Sequence, residues 1–326
     1  MRIFVTRKIP DAGLDLLKKE FDVEINPYDR VLSKEEILKG LKGKDGLLCL
    51  LTDSIDKDVI NAEPKLRMIA NYAAGYDNID VQAATERDIP VSNTPGVLTE
   101  TTAEMAWALL FAVARRIVEG DHFTRTGKFK GWGPFVVLGQ DISNKTLGVI
   151  GTGKIGTAFA LKSKGFAMNV VYVDEKTNIL LEREVKAKRV TLSELLTISD
   201  YISLHVPLLP STHHLISKKE LQLMKKTAIL INTSRGPVVD ERALAEALRE
   251  HRIFGAGLDV YEHEPKISEK LKKLDNVVLQ PHSASATFET RTNMAIIAAK
   301  NMIAGLKGKI PPNCINPEVF KKKPSF

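Results

Sequence analysis

The sequence predicts an α/β protein built from two doubly wound parallel-sheet domains. A length of 326 residues is enough for two domains, each with its own core. Apolar runs suited to buried strands alternate with helical segments over residues 1–98 and again after residue 146, a pattern typical of parallel sheets covered by helices. The clearest unit, residues 145–174, reads as strand, glycine-rich turn, helix and strand.

The first part of the chain alternates between the two kinds of element. We predict strands over residues 3–6, 23–27, 46–51, 66–71 and 90–93. We predict helices over residues 11–20, 33–41 and 56–62. The helix over residues 33–41 has a capping box, because Glu36 follows Ser33 at the required spacing.

A long apolar helix is predicted over residues 101–118, with Arg115 and Arg116 near its C-terminal end. It is apolar over much of its circumference, so we expect it to be buried between domains or subunits. A glycine-containing loop follows it. We interpret the helix as the bridge into the second domain and as a dimer contact.

The second part of the chain resumes the alternation. Strands are predicted over residues 146–150, 169–173, 201–206, 228–232, 256–260 and 277–280. Helices are predicted over residues 154–164, 192–198, 217–224, 240–251 and 286–305. Asp240 is the expected cap of the fourth of these helices.

The glycine-rich turn predicts a dinucleotide site. Gly151, Gly153 and Gly156 form G-x-G-x-x-G between a strand and a helix. Gly151 permits the tight turn, Gly153 lets a pyrophosphate approach the backbone, and Gly156 lets the helix pack close to the strand. The helix N-terminus attracts the phosphates, and Asp174 ends the next strand, where an acid binds a ribose hydroxyl.

Asp174 also bears on the choice of cofactor. A carboxylate at this position repels a 2′-phosphate, and Glu175 adds to that repulsion. Lys176 is expected to be the only nearby cation. We therefore expect NAD, with NADH preferred over NADPH.

Composition and charge exclude several classes of protein. With 44% hydrophobic residues, the chain is neither a disordered segment nor a fibre. The net charge of +7 is spread over helix faces without a nucleic-acid motif, so no nucleic-acid partner is expected. The longest apolar run, residues 105–114, is too short for a bilayer, and no membrane association is expected. Cys49 and Cys314 lack partners at metal-ligand spacing and are interpreted as reduced thiols of a cytoplasmic protein without a signal peptide.

Residues 73–78 follow a predicted strand end. Their small side chains expose backbone N–H groups where parallel sheets bind ligands. The loop is therefore either an anion-binding element or a plain turn, and the residues alone leave both open.

Further polar residues follow the strands of the second domain. Arg235, an acid at Glu262 or Glu264, and His282 come after three strand ends that converge near the nicotinamide. These residue types suit the reduction of a 2-oxo acid. Arginine binds the substrate carboxylate, and histidine donates a proton to the alkoxide that develops from the substrate carbonyl. A carboxylate behind the histidine ring fixes the tautomer of that ring. Arg235 as a surface residue and His282 as a structural one remain the alternatives. His213 and His214 are adjacent and poorly placed to share a metal.

These stretches resemble the D-isomer-specific 2-hydroxyacid dehydrogenase family over nearly the whole chain. The matching motifs are AAGYDNID, SNTPGVLTETTAE, LGVIGTGKIG, HVPL, INTSRGPVVDERAL, AGLDVYEHEP and LQPHSASATFETR. The resemblance implies that Arg235 binds the substrate and assists hydride transfer and that His282 is the acid/base. It selects Glu264 over Glu262 as the partner of His282, since the family's acid directly precedes the proline.

The resemblance also assigns the remaining site residues. The backbone of Ala74 and Gly75 is expected to bind the substrate carboxylate, while Asp259 and the backbone of Thr233 hold the nicotinamide amide. Thr102 is expected near the cofactor phosphates. The other residues expected at the cofactor are Gly151, Gly153, Lys154, Ile155, Gly156, Asp174, Val206, Pro207, Thr212, His282 and Ala284. No metal ligand is expected.

The domain arrangement follows from the same resemblance. Residues 1–98 and 289–326 are expected to form a flavodoxin-like substrate-binding domain, the catalytic domain of this family. Residues 99–288 are expected to form a Rossmann NAD-binding domain. The helix and arm over residues 101–139 are expected to form a homodimer contact.

Within the family, PHSASATFETR and NTPGVLTETTAEMAWALL are most similar to glyoxylate and hydroxypyruvate reductases, although glycine is commoner at Ala284. We therefore expect NADH-dependent reduction of glyoxylate or hydroxypyruvate to glycolate or D-glycerate. D-lactate and D-3-phosphoglycerate dehydrogenases remain alternatives. Phosphite oxidation is disfavoured, because phosphite dehydrogenases carry a lysine at the position that is Ala74 in this chain. A remote alternative is an NAD-sensing corepressor-like binding protein.

Overall fold

The structure, a computed structural model, describes residues 1–321. The strands, in chain order, are β1 (Arg2–Val5), β2 (Asp22–Ile25), β3 (Gly46–Leu50), β4 (Met68–Tyr72), β5 (Val91–Ser92), β6 (Thr146–Ile150), β7 (Asn169–Val173), β8 (Lys188–Arg189), β9 (Tyr201–Leu204), β10 (Ile229–Asn232), β11 (Gly255–Leu258) and β12 (Val277–Leu279).

The α-helices, in chain order, are α1 (Asp11–Lys18), α2 (Lys34–Leu41), α3 (Lys57–Ala62), α4 (Val81–Glu86), α5 (Thr99–Ala114), α6 (Ile117–Arg125), α7 (Lys154–Lys162), α8 (Ile179–Glu184), α9 (Leu192–Ile198), α10 (Lys218–Leu223), α11 (Glu241–Arg249), α12 (Glu269–Lys272) and α13 (Phe288–Leu306). Short 3₁₀ helices cover Ser163–Phe166, Gly236–Val238 and Pro317–Phe320.

The chain forms two compact units. Among the described residues, the first comprises Met1–Leu98 together with residues 286–321, and the second comprises Thr99–Ser285. Each unit contains one sheet, and every strand pair within both sheets is parallel. The predicted fold class is confirmed.

The first unit has a 5-stranded sheet in the order β2-β1-β3-β4-β5, the order of flavodoxin-like folds. Strands β3 and β4 of this sheet are almost wholly buried, as expected for strands covered on both faces. The last helix, α13, returns the chain to this unit and packs against α1, β3 and β4. Gly13 makes the helix contact possible, because a Cβ there would lie 2.5 Å from the carbonyl oxygen of Ala295.

The second unit has a 7-stranded sheet in the order β12-β11-β10-β9-β6-β7-β8. The chain runs outward from β6 to β7 and β8, then returns to β9 on the other side of β6. This reversal between β6 and β9 is the switch point at which doubly wound sheets bind ligands beyond their carboxyl ends. The glycine-rich turn follows β6 directly, so it lies at this point of the sheet.

The strongest sequence patterns have the predicted bounds. These are the strands Thr146–Ile150 and Asn169–Val173 and the helix Leu192–Ile198. The capping box of Ser33 and Glu36 is also confirmed, and Asp240 caps α11 by accepting a hydrogen bond from the N–H of Ala243. Most other predicted elements are present with ends shifted by one to three residues.

The prediction of a single helix over residues 101–118 is wrong. Helix α5 ends at Ala114, and a separate helix, α6, follows at Ile117. Arg116 between them adopts a left-handed conformation with φ of 50°. Its guanidinium binds Glu119 and donates to the carbonyl of Leu138, and these contacts hold the break in place.

Helix α5 buries much of its apolar surface within the second unit. It packs against α7 and across β10, β11 and β12. Trp107 donates a hydrogen bond to the carbonyl of Phe159, and its ring lies 5.0 Å from that of Phe159. A Cβ at Gly257 would lie 2.9 Å from Leu109, so the glycine lets this helix approach the sheet.

Several short elements were not predicted. They are α4, α6, α8, β8 and α12. Asp80, Asn178 and Ser268 cap α4, α8 and α12 with side-chain hydrogen bonds, so a capping residue marked each start. Helices of four to six residues carry too little periodicity to be recognised without that signal.

No helix within residues 1–321 is long and apolar enough to cross a membrane. Both cysteines are free thiols, and burial raises the pKa of Cys49 well above its ordinary value.

Candidate active site

The glycine-rich turn has the geometry that its sequence predicts. Gly151 adopts φ of +88°, which favours glycine. A Cβ at Gly156 would lie 2.0 Å from the carbonyl oxygen of Gly151, so only glycine lets α7 pack this closely. A Cβ at Gly153 would meet nothing within 4 Å. The turn therefore leaves open space beside the N-terminus of α7, where Lys154 and Ile155 offer N–H groups.

Replacing Gly156 with alanine is expected to destabilise the protein by about 3 kcal/mol, because neither the Gly151 carbonyl nor His205 can move away freely. Gly165→Ala is the matched control, since a Cβ at Gly165 would meet nothing within 4 Å. Thermal denaturation should show a Tm lower by several degrees for Gly156→Ala alone. Equal Tm values for the two variants would contradict the packing described.

Asp174 lies beside the glycine turn and is held in place by it. Its Oδ2 accepts hydrogen bonds from the backbone N–H of Thr152 at 2.6 Å and from the Thr152 hydroxyl at 2.9 Å. Partial burial alone would raise the pKa of Asp174, but these hydrogen bonds outweigh it and lower the pKa below its ordinary value. A fixed carboxylate anion therefore stands at the end of β7.

Arg189 is a second cation near Asp174, which corrects the expectation that Lys176 is the only one. Its guanidinium donates to the carbonyls of Asp174 and Glu175 at 3.0 and 2.8 Å. Arg189 belongs to β8, the edge strand beside β7, and this pairing brings it near although it lies far along the chain.

The residue that follows β9, His205, packs against the glycine-rich turn. His205 is half-buried and packs its ring 5.0 Å from that of Phe159. Burial lowers its pKa to about 3, so it is neutral, and its Nε2 lies 2.9 Å from the hydroxyl of Ser203. Beyond it, the Thr212 hydroxyl donates to the carbonyl of Pro207 at 2.6 Å and closes the loop that begins at Val206.

The turn after β10 carries Thr233 and Arg235. Asn232 fixes this turn, because its Nδ2 donates to the Arg235 carbonyl at 2.9 Å and its Oδ1 accepts from the N–H of Ser234 at 3.0 Å. The Arg235 side chain donates to the Ser234 carbonyl at 2.8 Å. The hydroxyl of Thr233 is buried and has no hydrogen-bond partner among the described residues.

The turns after β10 and β11 touch through Gly236. A Cβ at Gly236 would lie 1.8 Å from the carbonyl oxygen of Tyr261, so only glycine permits this contact. It brings the loop of Arg235 beside the segment that holds Glu264. The positive charge of Arg235 accordingly contributes to the lowered pKa of Glu264.

Glu264 and His282 form a hydrogen-bonded pair. The Nδ1 atom of His282 lies 2.8 Å from Oε2 of Glu264, and Oε1 of Glu264 accepts the N–H of Tyr261 at 3.0 Å. Burial would raise the pKa of Glu264, but the hydrogen bond and charge of His282, the Tyr261 N–H and the charge of Arg235 together lower it. The carboxylate is ionised and holds the proton on Nδ1, which leaves Nε2 to act on a substrate.

Asp259 anchors the turn that presents His282. Its two carboxylate oxygens accept the N–H groups of Ser283 at 2.7 Å and of Ala284 at 2.8 Å. His282 itself has φ of 54°, a left-handed conformation that is uncommon for a residue other than glycine. Burial raises the pKa of Asp259 despite these hydrogen bonds.

Glu262, which the residues alone left as a rival to Glu264, has a different partner. Its Oε1 lies 2.7 Å from Nε2 of His214, and its Oε2 accepts the N–H of Glu241 at 3.1 Å. The ring of His214 stacks on that of His213 at 4.1 Å. Within the described residues, no group of histidine, cysteine and acidic side chains is arranged to hold a metal ion.

The second unit thus brings together Arg235, Glu264, His282, Asp259 and the glycine turn at one edge of its sheet. Thr102 also belongs to this unit and is buried on α5. Ala74 and Gly75 belong to the first unit, where they follow β4.

The residues present fit a nicotinamide dinucleotide. The space beside Gly153 at the N-terminus of α7 suits a pyrophosphate, and the carboxylate of Asp174 suits a ribose hydroxyl. The buried hydroxyl of Thr233 lacks a partner within the described chain, which is an arrangement that a bound group can satisfy.

Comparison with known proteins decides the family. The profile of the D-isomer specific 2-hydroxyacid dehydrogenase, NAD binding domain, matches residues 107–284. A glyoxylate reductase of Korarchaeum cryptofilum is 51% identical over 325 residues, which cover 99% of this chain and 98% of that protein. The chain belongs to the D-isomer-specific 2-hydroxyacid dehydrogenase family.

Solved structures agree with this assignment. The crystal structure of a Thermus thermophilus protein matches with a TM-score of 0.92 and 44% identity, covering 97% of this chain and all of that one. An NADPH-dependent glyoxylate/hydroxypyruvate reductase of Sinorhizobium meliloti, in complex with NADP and malonate, matches with a TM-score of 0.86 and 29% identity over 99% of both chains. This D-2-hydroxyacid dehydrogenase is therefore an oxidoreductase that uses a nicotinamide dinucleotide.

Several residues that shape the dehydrogenase site were not identified from the sequence. Thr152 fixes Asp174, Asn232 fixes the turn of Arg235, and Glu241 holds the N–H groups of Glu262 and Ser268. The motifs LGVIGTGKIG and INTSRGPVVDERAL contain all three shaping residues, so the signal was present. Their hydrogen-bond partners depend on the folded turns.

Proposed function

We propose that this enzyme reduces glyoxylate to glycolate with NADH and also reduces hydroxypyruvate to D-glycerate. The observation that carries the proposal is the His282–Glu264 pair, held at 2.8 Å beside the loop of Arg235. The glyoxylate reductase of Korarchaeum cryptofilum, which is 51% identical in sequence, supports the choice of substrate.

The proposed roles follow from the chemistry of each side chain. When bound, the nicotinamide supplies the hydride. The substrate carbonyl oxygen gains negative charge, and Nε2 of His282 donates the proton that converts it to a hydroxyl. Glu264 keeps Nδ1 protonated and stabilises the cationic form of the ring before the transfer.

The substrate carboxylate requires donors of its own. Arg235 presents a planar fork of N–H donors that matches a carboxylate, and its charge also favours the developing alkoxide. In the first unit, the backbone N–H groups of Ala74 and Gly75 are proposed to bind the substrate carboxylate. Phosphite dehydrogenases are expected to carry a lysine at this position, and Ala74 provides no such cation.

A comparison of substrates tests the proposal and its alternatives. Purified enzyme with NADH is offered glyoxylate, hydroxypyruvate, pyruvate and 3-phosphohydroxypyruvate, and kcat/KM is measured from the nicotinamide absorbance. We expect the first two to lead. A clear preference for pyruvate would indicate a D-lactate dehydrogenase, and a preference for the phosphorylated acid would indicate a phosphoglycerate dehydrogenase. Binding of NADH without turnover of any acid would favour a cofactor-sensing binding protein.

The proposal includes a preference for NADH over NADPH, supported by the ionised carboxylate of Asp174. Arg189 is a cation that could receive a 2′-phosphate, but its guanidinium already donates to two backbone carbonyls. Asp174→Ala is expected to raise KM for NADH by about tenfold and to narrow the preference over NADPH. Glu175→Ala, at the exposed neighbouring acid, should change KM for NADH far less. An unchanged cofactor preference in Asp174→Ala would contradict this role.

We further propose that the enzyme is a homodimer. Large apolar side chains are exposed over residues 117–138, including Trp132 at 88% and Phe135 at 84%. A cluster of this kind on one segment marks an interaction surface. We expect light scattering to give twice the chain mass, and Phe135→Asp to give the monomer mass. Phe288→Asp, at an exposed aromatic outside the segment, is the matched control. A monomeric wild-type protein would contradict the proposal.

A cytoplasmic location is proposed on the two free thiols, which suit a reducing compartment.

A further inference from the structure

In the loop after β4, the four successive carbonyl groups of residues 73–76 accept hydrogen bonds from within the first unit. The carbonyl of Ala73 accepts the N–H of Thr94 at 2.8 Å, and that of Tyr76 accepts the N–H of Ile79 at 3.1 Å. The two carbonyls between them accept hydrogen bonds from buried asparagine side chains.

Asn71 and Asn93 supply those donors. Nδ2 of Asn93 donates to the Ala74 carbonyl at 2.6 Å, and Nδ2 of Asn71 donates to the Gly75 carbonyl at 3.0 Å. Both side chains are buried, with Asn71 fully inaccessible. Since a carbonyl only accepts, these contacts fix which end of each amide faces the loop.

The direction of the carbonyls determines the direction of the N–H groups. In a trans peptide, the carbonyl of one residue and the N–H of the next point opposite ways. With the carbonyls of residues 73–75 turned into the unit, the N–H groups of Ala74, Gly75 and Tyr76 turn away from it. Among residues 1–321, none accepts a hydrogen bond from these three N–H groups. Successive N–H groups aimed the same way form an anion-binding concavity.

Further buried contacts hold each asparagine. Oδ1 of Asn71 faces the thiol of Cys49 at 3.7 Å, and its Nδ2 also reaches Oδ1 of Asn78 at 3.0 Å. Nδ2 of Asn78 in turn donates to the carbonyls of Leu50 and Asp53. The amide of Asn78 is thereby oriented with its oxygen toward Asn71.

Asn93 is tied to the C-terminal helix. Its backbone carbonyl accepts a hydrogen bond at 2.9 Å from Nδ2 of Asn301, a fully buried residue of α13. Oδ1 of Asn301 accepts the N–H of Asn313 at 3.2 Å. The return of the chain to the first unit thus supports the loop through Asn301 and Asn93.

We propose that Asn71 and Asn93 are positioning residues, which aim the N–H groups of Ala74, Gly75 and Tyr76 at the substrate carboxylate. This inference rests on the proposed function, because it assumes that the loop binds a carboxylate. Neither asparagine touches the substrate. Each acts through one carbonyl of the loop, and loss of either lets a peptide group rotate away from the binding direction.

The test compares Asn71→Ala and Asn93→Ala with Asn26→Ala. Asn26 is the matched control, a buried asparagine of the same unit whose Nδ2 donates to the carbonyls of Thr6 and Tyr28 at a different loop. We measure KM and kcat for glyoxylate, Kd for NADH, Tm, and the calorimetric Kd of oxalate, a carboxylate that is not reduced.

The two site variants should raise KM for glyoxylate and Kd for oxalate by about tenfold or more, with Kd for NADH unchanged. Asn26→Ala should lower Tm comparably without raising either constant. Asn93→Asp keeps the volume but removes the donor, and it replaces Asn93→Ala if the latter does not fold. Equal oxalate affinity in Asn71→Ala, Asn93→Ala and the control Asn26→Ala would overturn the inference. Wild-type reduction of glyoxylate in the same experiment would show that the proposed function still holds. If the affinity for oxalate depends on both asparagines but the wild type reduces no 2-oxo acid, only the proposed function is refuted.

Discussion

His282→Asn is expected to lower kcat for glyoxylate by about 10² to 10⁴, the usual contribution of a positioned acid/base. Asparagine tolerates the left-handed backbone that His282 adopts, so the turn held by Asp259 is retained. It cannot donate a proton at neutral pH to a developing alkoxide. Steady-state kinetics with saturating NADH measures the loss, and fluorescence titration should give an unchanged Kd for NADH.

His263→Asn is the control for this substitution. His263 is an exposed histidine next to Glu264, and its replacement should leave kcat near the wild-type value. Near-normal turnover of His282→Asn would contradict the assignment of the proton donor. A parallel loss of NADH affinity would instead indicate that the turn has collapsed.

Arg235→Ala is expected to lower kcat/KM for glyoxylate by about 10³-fold, because two charge-assisted hydrogen bonds to the carboxylate are lost. Arg235→Lys keeps the charge but not the planar fork, and we expect it to restore only part of the loss. Initial rates at varied glyoxylate and fixed, saturating NADH give both constants.

Arg242 provides the matched control for Arg235. It lies exposed on α11 and pairs with Glu246 at 3.4 Å, so Arg242→Ala should leave kcat/KM unchanged. An Arg235→Ala variant with wild-type KM and a reduced kcat would place Arg235 outside carboxylate binding. Full activity of Arg235→Lys would show that charge alone suffices.

The parts of the fold that the sequence predicts well are those with strong local signals. The strands flanking the glycine turn are continuous apolar runs, and the roles of Gly151 and Gly156 follow from spacing alone. The break between α5 and α6 lacked such a signal, because the apolar pattern continues through Ile117 and Val118. It is held by the contact of Arg116 with Leu138, which forms only in the folded chain.

The candidate site shows the same division. The residue types at 235, 264 and 282 were predicted, and the family resemblance selected Glu264 over Glu262. The residues alone could not make that choice, because two acids two positions apart differ only in which histidine they reach. In the structure, Glu262 faces His214 and Glu264 faces His282. Likewise, Arg189 reaches Asp174 only through the pairing of β8 with β7.

The most direct test of the account is the reaction of the purified enzyme with NADH and glyoxylate. We predict that NADH is consumed, that glycolate forms in equal amount, and that the rate exceeds the rate with NADPH at matched concentrations. No consumption of either cofactor in the presence of glyoxylate would contradict the central claim.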